Sequence, residues 1–269
     1  MTIPGNSRAK LATLLLIATT ALSGAANATI VRIETVLGDI EINLYDNATP
    51  ATVANFLNYV ENGGYTDSIF HRSVANFILQ GGGFATDLNA DVSAIPTNAP
   101  VTNEPVYSNV RGSIAMAKLG NDPNSATSQW FINLSNNNAA NLDNQNGGFT
   151  VFGEVTAGLD VVDALSDLPT FAFSAPFGEL PLRAYSDTDF DNMVAVTNDN
   201  LAIVAAIEVI DSTVDSAGAA GLTPIPTTAS SGGTGGGGNT GGGGGGSFGL
   251  LALFALLLSG GRQVLMRRK

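Results

Sequence analysis

Negative charge is not spread along this chain of 269 residues; it is confined to the middle, and that confinement marks the part able to fold as a soluble domain. All 23 acidic residues lie between Glu34 and Asp215. Residues 29–215 add only five cations: Arg32, Arg72, Arg111, Lys118 and Arg183. Five positive against 23 negative charges leave that stretch at −18, although the whole chain is −12. The remaining six cations, Arg8, Lys10, Arg262, Arg267, Arg268 and Lys269, sit at the two ends. Phosphate binding needs clustered positive charge, so nucleic acid is excluded as the main partner. With no cysteine and one histidine, the chain has no disulfide framework, thiolate zinc site, thiol nucleophile or multi-histidine metal centre. No metal or cofactor is expected.

The two ends read as export and anchoring segments. Residues 1–28 carry Arg8 and Lys10, a mostly apolar run from Leu11 to Leu22, and Ala26-Asn27-Ala28 as a small-x-small cleavage pattern, which is a signal peptide. An uncleaved anchor is the alternative. Residues 216–247 are Pro/Thr/Ser-rich and then Gly-rich, the composition of a flexible linker; 13 of the 32 glycines fall in residues 232–249. Residues 248–269 pair an uncharged, mostly apolar stretch, Phe248 to Gly261, with a basic terminus. As a helix that stretch is about 21 Å long at 1.5 Å per residue, short against a hydrocarbon core of about 30 Å. The positive-inside rule keeps its basic end cytoplasmic. A glycine run, a short apolar helix and a basic terminus resemble the GlyGly-CTERM sorting tails of Gram-negative bacteria. That resemblance implies a membrane-held signal removed by a rhomboid-type sorting protease; a permanent anchor on a flexible leash is the alternative.

The acidic stretch, residues 29–215, is expected to be β-rich. Between Thr29 and Asp46, apolar and polar residues alternate on either side of Leu37-Gly38-Asp39, a strand–turn–strand pattern. A helix follows, with Thr49 as cap, Pro50 at its first position, Val53, Phe56, Leu57 and Val60 on one face, and Asn62-Gly63-Gly64 as its stop. Further strands are expected at residues 68–74, 113–117, 129–133, 151–155 and 201–211, and a second helix at residues 159–166 before Pro169. Many strands and two helices point to a barrel or a sandwich.

Four blocks carry the chemistry. They are FHRSVANFILQGGGF at residues 70–84, RGSIAMA at 111–117, SATSQWFI at 125–132, and NLDN with FTVFGEV at 141–155. In this order they resemble the cyclophilin family of peptidyl-prolyl cis-trans isomerases, and the likeness spans roughly residues 29–211. It implies a closed eight-stranded antiparallel β-barrel capped by two α-helices. It also implies isomerisation of X–Pro bonds without a covalent intermediate, cofactor or metal. Arg72 matches the catalytic arginine. Gln80 matches a glutamine that bonds the substrate backbone, and Gln129 another polar residue beside the pocket. Phe77, Ile78, Phe131, Leu142 and Phe149 match positions around the substrate proline. Ala117 and Lys118 fall where backbone groups hold the peptide. His71 matches a structural position, and Trp130 is expected on the opposite side of the sheet from Phe131.

Three positions depart from the family pattern. Ile78 replaces a frequent methionine. Asn141 stands where an aromatic is common, which predicts weak binding of cyclosporin, the family's immunosuppressant. Phe149 replaces a histidine or tyrosine. Residues 168–200 are longer than usual, and Phe171, Phe173, Phe177 and Tyr185 within them point to a packed segment. The expectation is therefore a monomeric isomerase in the periplasm or at the cell surface. It would act on proline-containing unfolded or flexible exported polypeptides, with membrane association through the tail. The alternative is a non-catalytic module that binds proline peptides.

Overall fold

The computed structural model describes residues 29–89, 91–212, 222–229 and 263–264. The first hairpin forms as the alternation predicts. β1 (Ile30–Thr35) pairs antiparallel with β2 (Gly38–Leu44), and Val31, Ile33, Ile40 and Ile42 are fully buried. α1 (Pro50–Glu61) follows with Pro50 at its start and buries Val53, Phe56 and Val60. Its cap differs from expectation. Thr49 makes no capping bond; the carboxylate of Glu104 accepts from the backbone N–H groups of Ala51 and Thr52 instead. A carboxylate there both satisfies free donors and faces the positive end of the helix dipole.

The expected single strand over residues 68–74 is broken into β3 (Ser68–Ile69) and β4 (Arg72–Val74). Next come β5 (Ile78–Gly81), β6 (Phe84–Thr86), β7 (Asp91–Ala94), β8 (Ser113–Met116) and β9 (Trp130–Asn133). α2 (Ala139–Asn144) runs into a 3-10 turn, Gln145–Gly147. Then β10 (Val151–Ala157), α3 (Leu159–Ser166), β11 (Thr170–Phe171), β12 (Leu180–Pro181), α4 (Asp187–Asp191) and β13 (Ile203–Asp211) complete the domain. Gln263–Val264, β14, pairs with β7. The helix at residues 159–166 falls where expected, but α2 and α4 raise the described α-helices from the expected two to four.

The sheet is mainly antiparallel and open. Its hydrogen-bonded order is β14-β7-β6-β3-β13-β1-β2-β10-β8-β9-β5-β4, with β11 and β12 forming a separate pair. This corrects the expectation of a closed eight-stranded barrel: no ladder joins the ends of the described sheet. The reason lies at Phe70 and His71. Before them the chain pairs with β13 and β6, and after them with β5. The chain changes partners between these adjacent residues: Phe70 N–H donates to the Ala202 carbonyl at 2.9 Å and His71 N–H to the Gln80 carbonyl at 3.1 Å, so β3 and β4 are joined through the chain and not by a ladder between them.

Three apolar clusters follow from strand alternation. The main core holds Ile33, Ile42, Phe56, Leu79, Ile114, Trp130, Ile132 and Phe152. A second is built on Phe84, Phe171, Phe177, Leu180, Leu182 and Tyr185, so the long segment is packed as its aromatics predict. The third contains Ile78, Ala115, Phe131, Leu142, Phe149 and Val151. It shares strands with the main core but uses the alternate residues: Leu79, Ile114 and Ile132 face one way, and Ile78, Ala115 and Phe131 the other. Of the segments read as signal, linker and tail, residues 1–28, 216–221, 230–262 and 265–269 lie outside the described residues. Residues 222–229, read as linker, lie against the domain. Ser108 N–H donates to the Ile225 carbonyl at 2.7 Å, and Thr227 N–H to the Val106 carbonyl at 3.0 Å.

Candidate active site

The site is a cross-strand row on the third cluster's face. Arg72 lies opposite Gln80, Gln80 opposite Phe131, Phe131 opposite Ala115, and Ala115 opposite Val151. Directly opposed residues project to the same face, so this register brings one cation and one amide alongside an apolar floor. Phe131 and Phe149 meet edge to face with ring centroids 5.8 Å apart, and Leu142 and Ile78 complete the buried wall. Phe77, half-buried, packs at its margin. Trp130 faces the main core, as alternation predicts.

The polar end of the row is ordered by few bonds. The Arg72 side chain is 12% exposed, and its Nε donates to Glu179 Oε2 at 2.6 Å. Its Nη1 is buried and has no partner. Gln80 Nε2 donates to Gln129 Oε1 at 2.8 Å, while Gln80 Oε1 is buried without a partner. The face thus offers one cationic donor and one amide acceptor next to apolar walls, the complement of a peptide carbonyl, a peptide N–H and a ring. The residue two before Arg72 does not share its face. Phe70 packs against Trp130 at 5.6 Å in the main core, because the chain changes ladders between them.

Other predicted residues are placed less directly. Ala117 N–H already donates to the Gln129 carbonyl at 2.9 Å, which links it to the row. Lys118 is 1% exposed; Nζ donates to the carbonyls of Asn146 and Gly148 and lies 4.8 Å from the centre of the Phe149 ring. It braces the turn under Phe149, so only backbone at Lys118 is available to a peptide. His71 is buried, burial pushes its pKa down to about 4, and Nδ1 has no partner. It packs edge to face on Phe84 at 5.0 Å, which fits a structural role. Among the described residues no group of three or more His, Cys, Asp or Glu could hold a metal.

Two residues at the site were not singled out in the sequence. Glu179 is separated from Arg72 by more than a hundred residues, and only the fold of residues 168–200 brings it near. Asp143 accepts from Ser108, Asn109 and Thr228, one residue along α2 from Leu142. The signal for it in the sequence is its place beside Leu142 in the NLDN block.

The comparisons with known proteins identify the family. The family model described as cyclophilin type peptidyl-prolyl cis-trans isomerase/CLD matches residues 30–184, more than half of the chain. The chain belongs to the cyclophilin family. The peptidyl-prolyl cis-trans isomerase of Acinetobacter baylyi is 44% identical over 145 residues, covering 54% of this chain and 76% of that protein. Isomerase A of Dickeya dadantii is 40% identical over 148 residues, covering 54% and 75%. Isomerase B of Escherichia coli is 40% identical over 136 residues, covering 49% and 81%. This cyclophilin is accordingly a peptidyl-prolyl cis-trans isomerase. Its fold continues past the matched residues: β13 pairs with both β1 and β3, so the domain reaches at least Asp211.

Proposed function

We propose that this isomerase acts on X–Pro bonds of exported polypeptides and that Arg72 stabilises the twisted amide. Rotation about an amide costs about 18–20 kcal/mol because resonance stiffens the C–N bond. Catalysis requires a site that binds the twisted bond more tightly than either planar form. On twisting, the nitrogen lone pair is released from resonance and becomes a hydrogen-bond acceptor. A fixed guanidinium there stabilises the transition state selectively. Phe77, Ile78, Phe131, Leu142 and Phe149 would hold the proline ring. Gln80, Gln129 and the backbone at Ala117 and Lys118 would hold the flanking peptide. The observation that carries this reading is the row itself: Arg72 and Gln80, each with a buried unpartnered polar atom, beside the Phe131–Phe149 wall.

A hydrogen bond to a charged group contributes about 1.5–3 kcal/mol, or one to two decades in rate at about 1.4 kcal/mol per decade. In an exchange assay on an X–Pro peptide, Arg72→Ala should lose at least tenfold in kcat/KM with unchanged circular dichroism. A wild-type chain that gives no acceleration over buffer, while still binding the peptide, would select the non-catalytic binding module instead.

The proposed setting is the bacterial periplasm or cell surface. It rests on the sequence of residues 1–28 and on the glycine run, apolar stretch and basic terminus of residues 232–269. Among the described residues no helix is long and apolar enough to cross a membrane. Intact mass of the protein recovered from cells tests both ends. A species starting at Thr29 and lacking the apolar stretch supports export and processing, and a mass that includes Met1 and Lys269 rejects them.

A further inference from the structure

The long segment at residues 168–200 does more than cover the sheet. Glu179 lies at its inner edge, just before β12, and is held there from two sides. Its carbonyl accepts from Ser73 N–H at 2.9 Å, fastening it to β4 beside Arg72. On either side of it, Phe177 and Leu180 are buried in the second apolar cluster. The carboxylate therefore hangs from anchored backbone, 2.6 Å from Arg72 Nε. Gln80, which faces Arg72 across the strands, donates to Gln129 instead.

We propose that Glu179 is a positioning residue for Arg72, delivered to it by the fold of residues 168–200. An arginine side chain carries several free torsions, and ordering it during catalysis would raise the barrier. A carboxylate on Nε fixes the guanidinium plane beforehand, while Nη1 keeps its donor capacity unpartnered. Preorganised donors gain most because they need no reorganisation as the reaction proceeds. The negative charge acts in the opposite sense, drawing on the positive field of Arg72. A neutral acceptor at position 179 should therefore keep the benefit, whereas removal of the acceptor should forfeit it. The inference rests on the reading of Arg72 as the group that meets the substrate amide.

The experiment compares the full chain with Glu179→Ala, Glu179→Gln and Arg72→Ala in the same X–Pro exchange assay. It adds peptide affinity, thermal midpoint and the 1H–15Nε resonance of Arg72. Glu179→Ala should lose about tenfold in kcat/KM, equivalent to about 1.4 kcal/mol. The loss should fall in kcat, with KM and affinity within about twofold of wild type and the Arg72 Nε–H signal broadened or gone. Glu179→Gln should restore activity to within about threefold of wild type and keep that signal, which a merely structural role would not require. Wild-type or higher kcat in Glu179→Ala, with Arg72→Ala inactive, overturns the positioning role. So does a Gln variant as impaired as the Ala variant. An Arg72→Ala chain with full activity would instead remove the reading of Arg72 on which the inference stands.

Discussion

Asp143 is the residue whose loss should reveal how the pocket wall is supported. It is 1% exposed and lies next to Leu142 on α2. Oδ2 accepts from Ser108 Oγ at 2.6 Å, Thr228 N–H at 3.0 Å and Thr228 Oγ1 at 2.9 Å. Oδ1 accepts from Asn109 N–H at 2.8 Å and Asn109 Nδ2 at 3.0 Å. Asn109 Nδ2 also donates to the Phe149 carbonyl at 3.1 Å, so the carboxylate is tied to a second wall residue. In Asp143→Ala, Ser108 Oγ can turn elsewhere and Thr228 can turn to water. Asn109 N–H stays fully buried without an acceptor, at about 1–3 kcal/mol. The lost charge-assisted bonds contribute a further amount of about 1.5–3 kcal/mol. A total of about 4 kcal/mol is expected, or a midpoint drop of roughly 8–16 °C at 2–4 °C per kcal/mol for a domain of this size. Burial alone would raise the carboxyl pKa, but the bonds from Ser108, Thr228 and Asn109 outweigh it and leave the pKa below the ordinary value. A folded-state pKa below the unfolded one means a contribution present above about pH 4 and lost as pH falls through the folded value. Urea unfolding at pH 7 and at stepped lower pH would show both effects. A change under about 1 kcal/mol at pH 7, or an unaltered acid slope in Asp143→Asn, would refute the reasoning.

Three further outcomes follow from the geometry. His71 is held neutral with a pKa near 4, so the unfolded chain binds a proton between pH 6.5 and 4 that the folded chain does not. Wild-type stability should therefore fall across that window by roughly 3 kcal/mol, and His71→Gln should flatten the slope there in acid-titrated urea unfolding. Gly82 has φ +72, and a Cβ on it would meet the Ser128 carbonyl oxygen at 2.6 Å and Trp130 Nε1 at 2.7 Å. Gly82→Ala should cost at least about 2 kcal/mol by the same measurement. Phe131→Ala removes the ring that meets Phe149 and should weaken X–Pro peptide binding at least tenfold in titration calorimetry, while Trp130 fluorescence reports an intact core.

The parts legible in the sequence were those with a local cause. The first hairpin, α1 and α3 followed from periodicity, Pro50 and Pro169, and the opposite facing of Trp130 and Phe131 followed from strand alternation. The parts that were not legible depend on distant contacts. The strands β6, β7, β11 and β12 have four residues or fewer, too few to establish a period. Glu104 took over the cap expected of Thr49 from a loop more than fifty residues away. The motif places only the backbone of Lys118 at the peptide and is silent on its side chain, whose inward course depends on carbonyls at Asn146 and Gly148 nearly thirty residues away. The break at Phe70–His71 was hidden because both sides of it read as strand.

Two late stretches of the chain reach the site at different places. Residues 168–200 bring Glu179 to Arg72, and residues 222–229 bring Thr228 to Asp143, beside Leu142. The row between them lies on strands whose alternate residues form the main core, so its floor is already rigid. Its ends are not. Arg72 has a flexible side chain, and α2 has only six residues and no side-chain cap. Helices that short gain little from their own hydrogen bonds and need tertiary contacts to persist. These segments therefore engage the two places that the strands alone leave least constrained. Substitutions at Glu179 and Thr228 should then differ in kind. The first alters the reacting end and should change kcat. The second alters the proline wall, so Thr228→Ala should raise KM and leave kcat near wild type, with Thr228→Ser restoring it. Equal effects of both on kcat would show that the two ends are not independent.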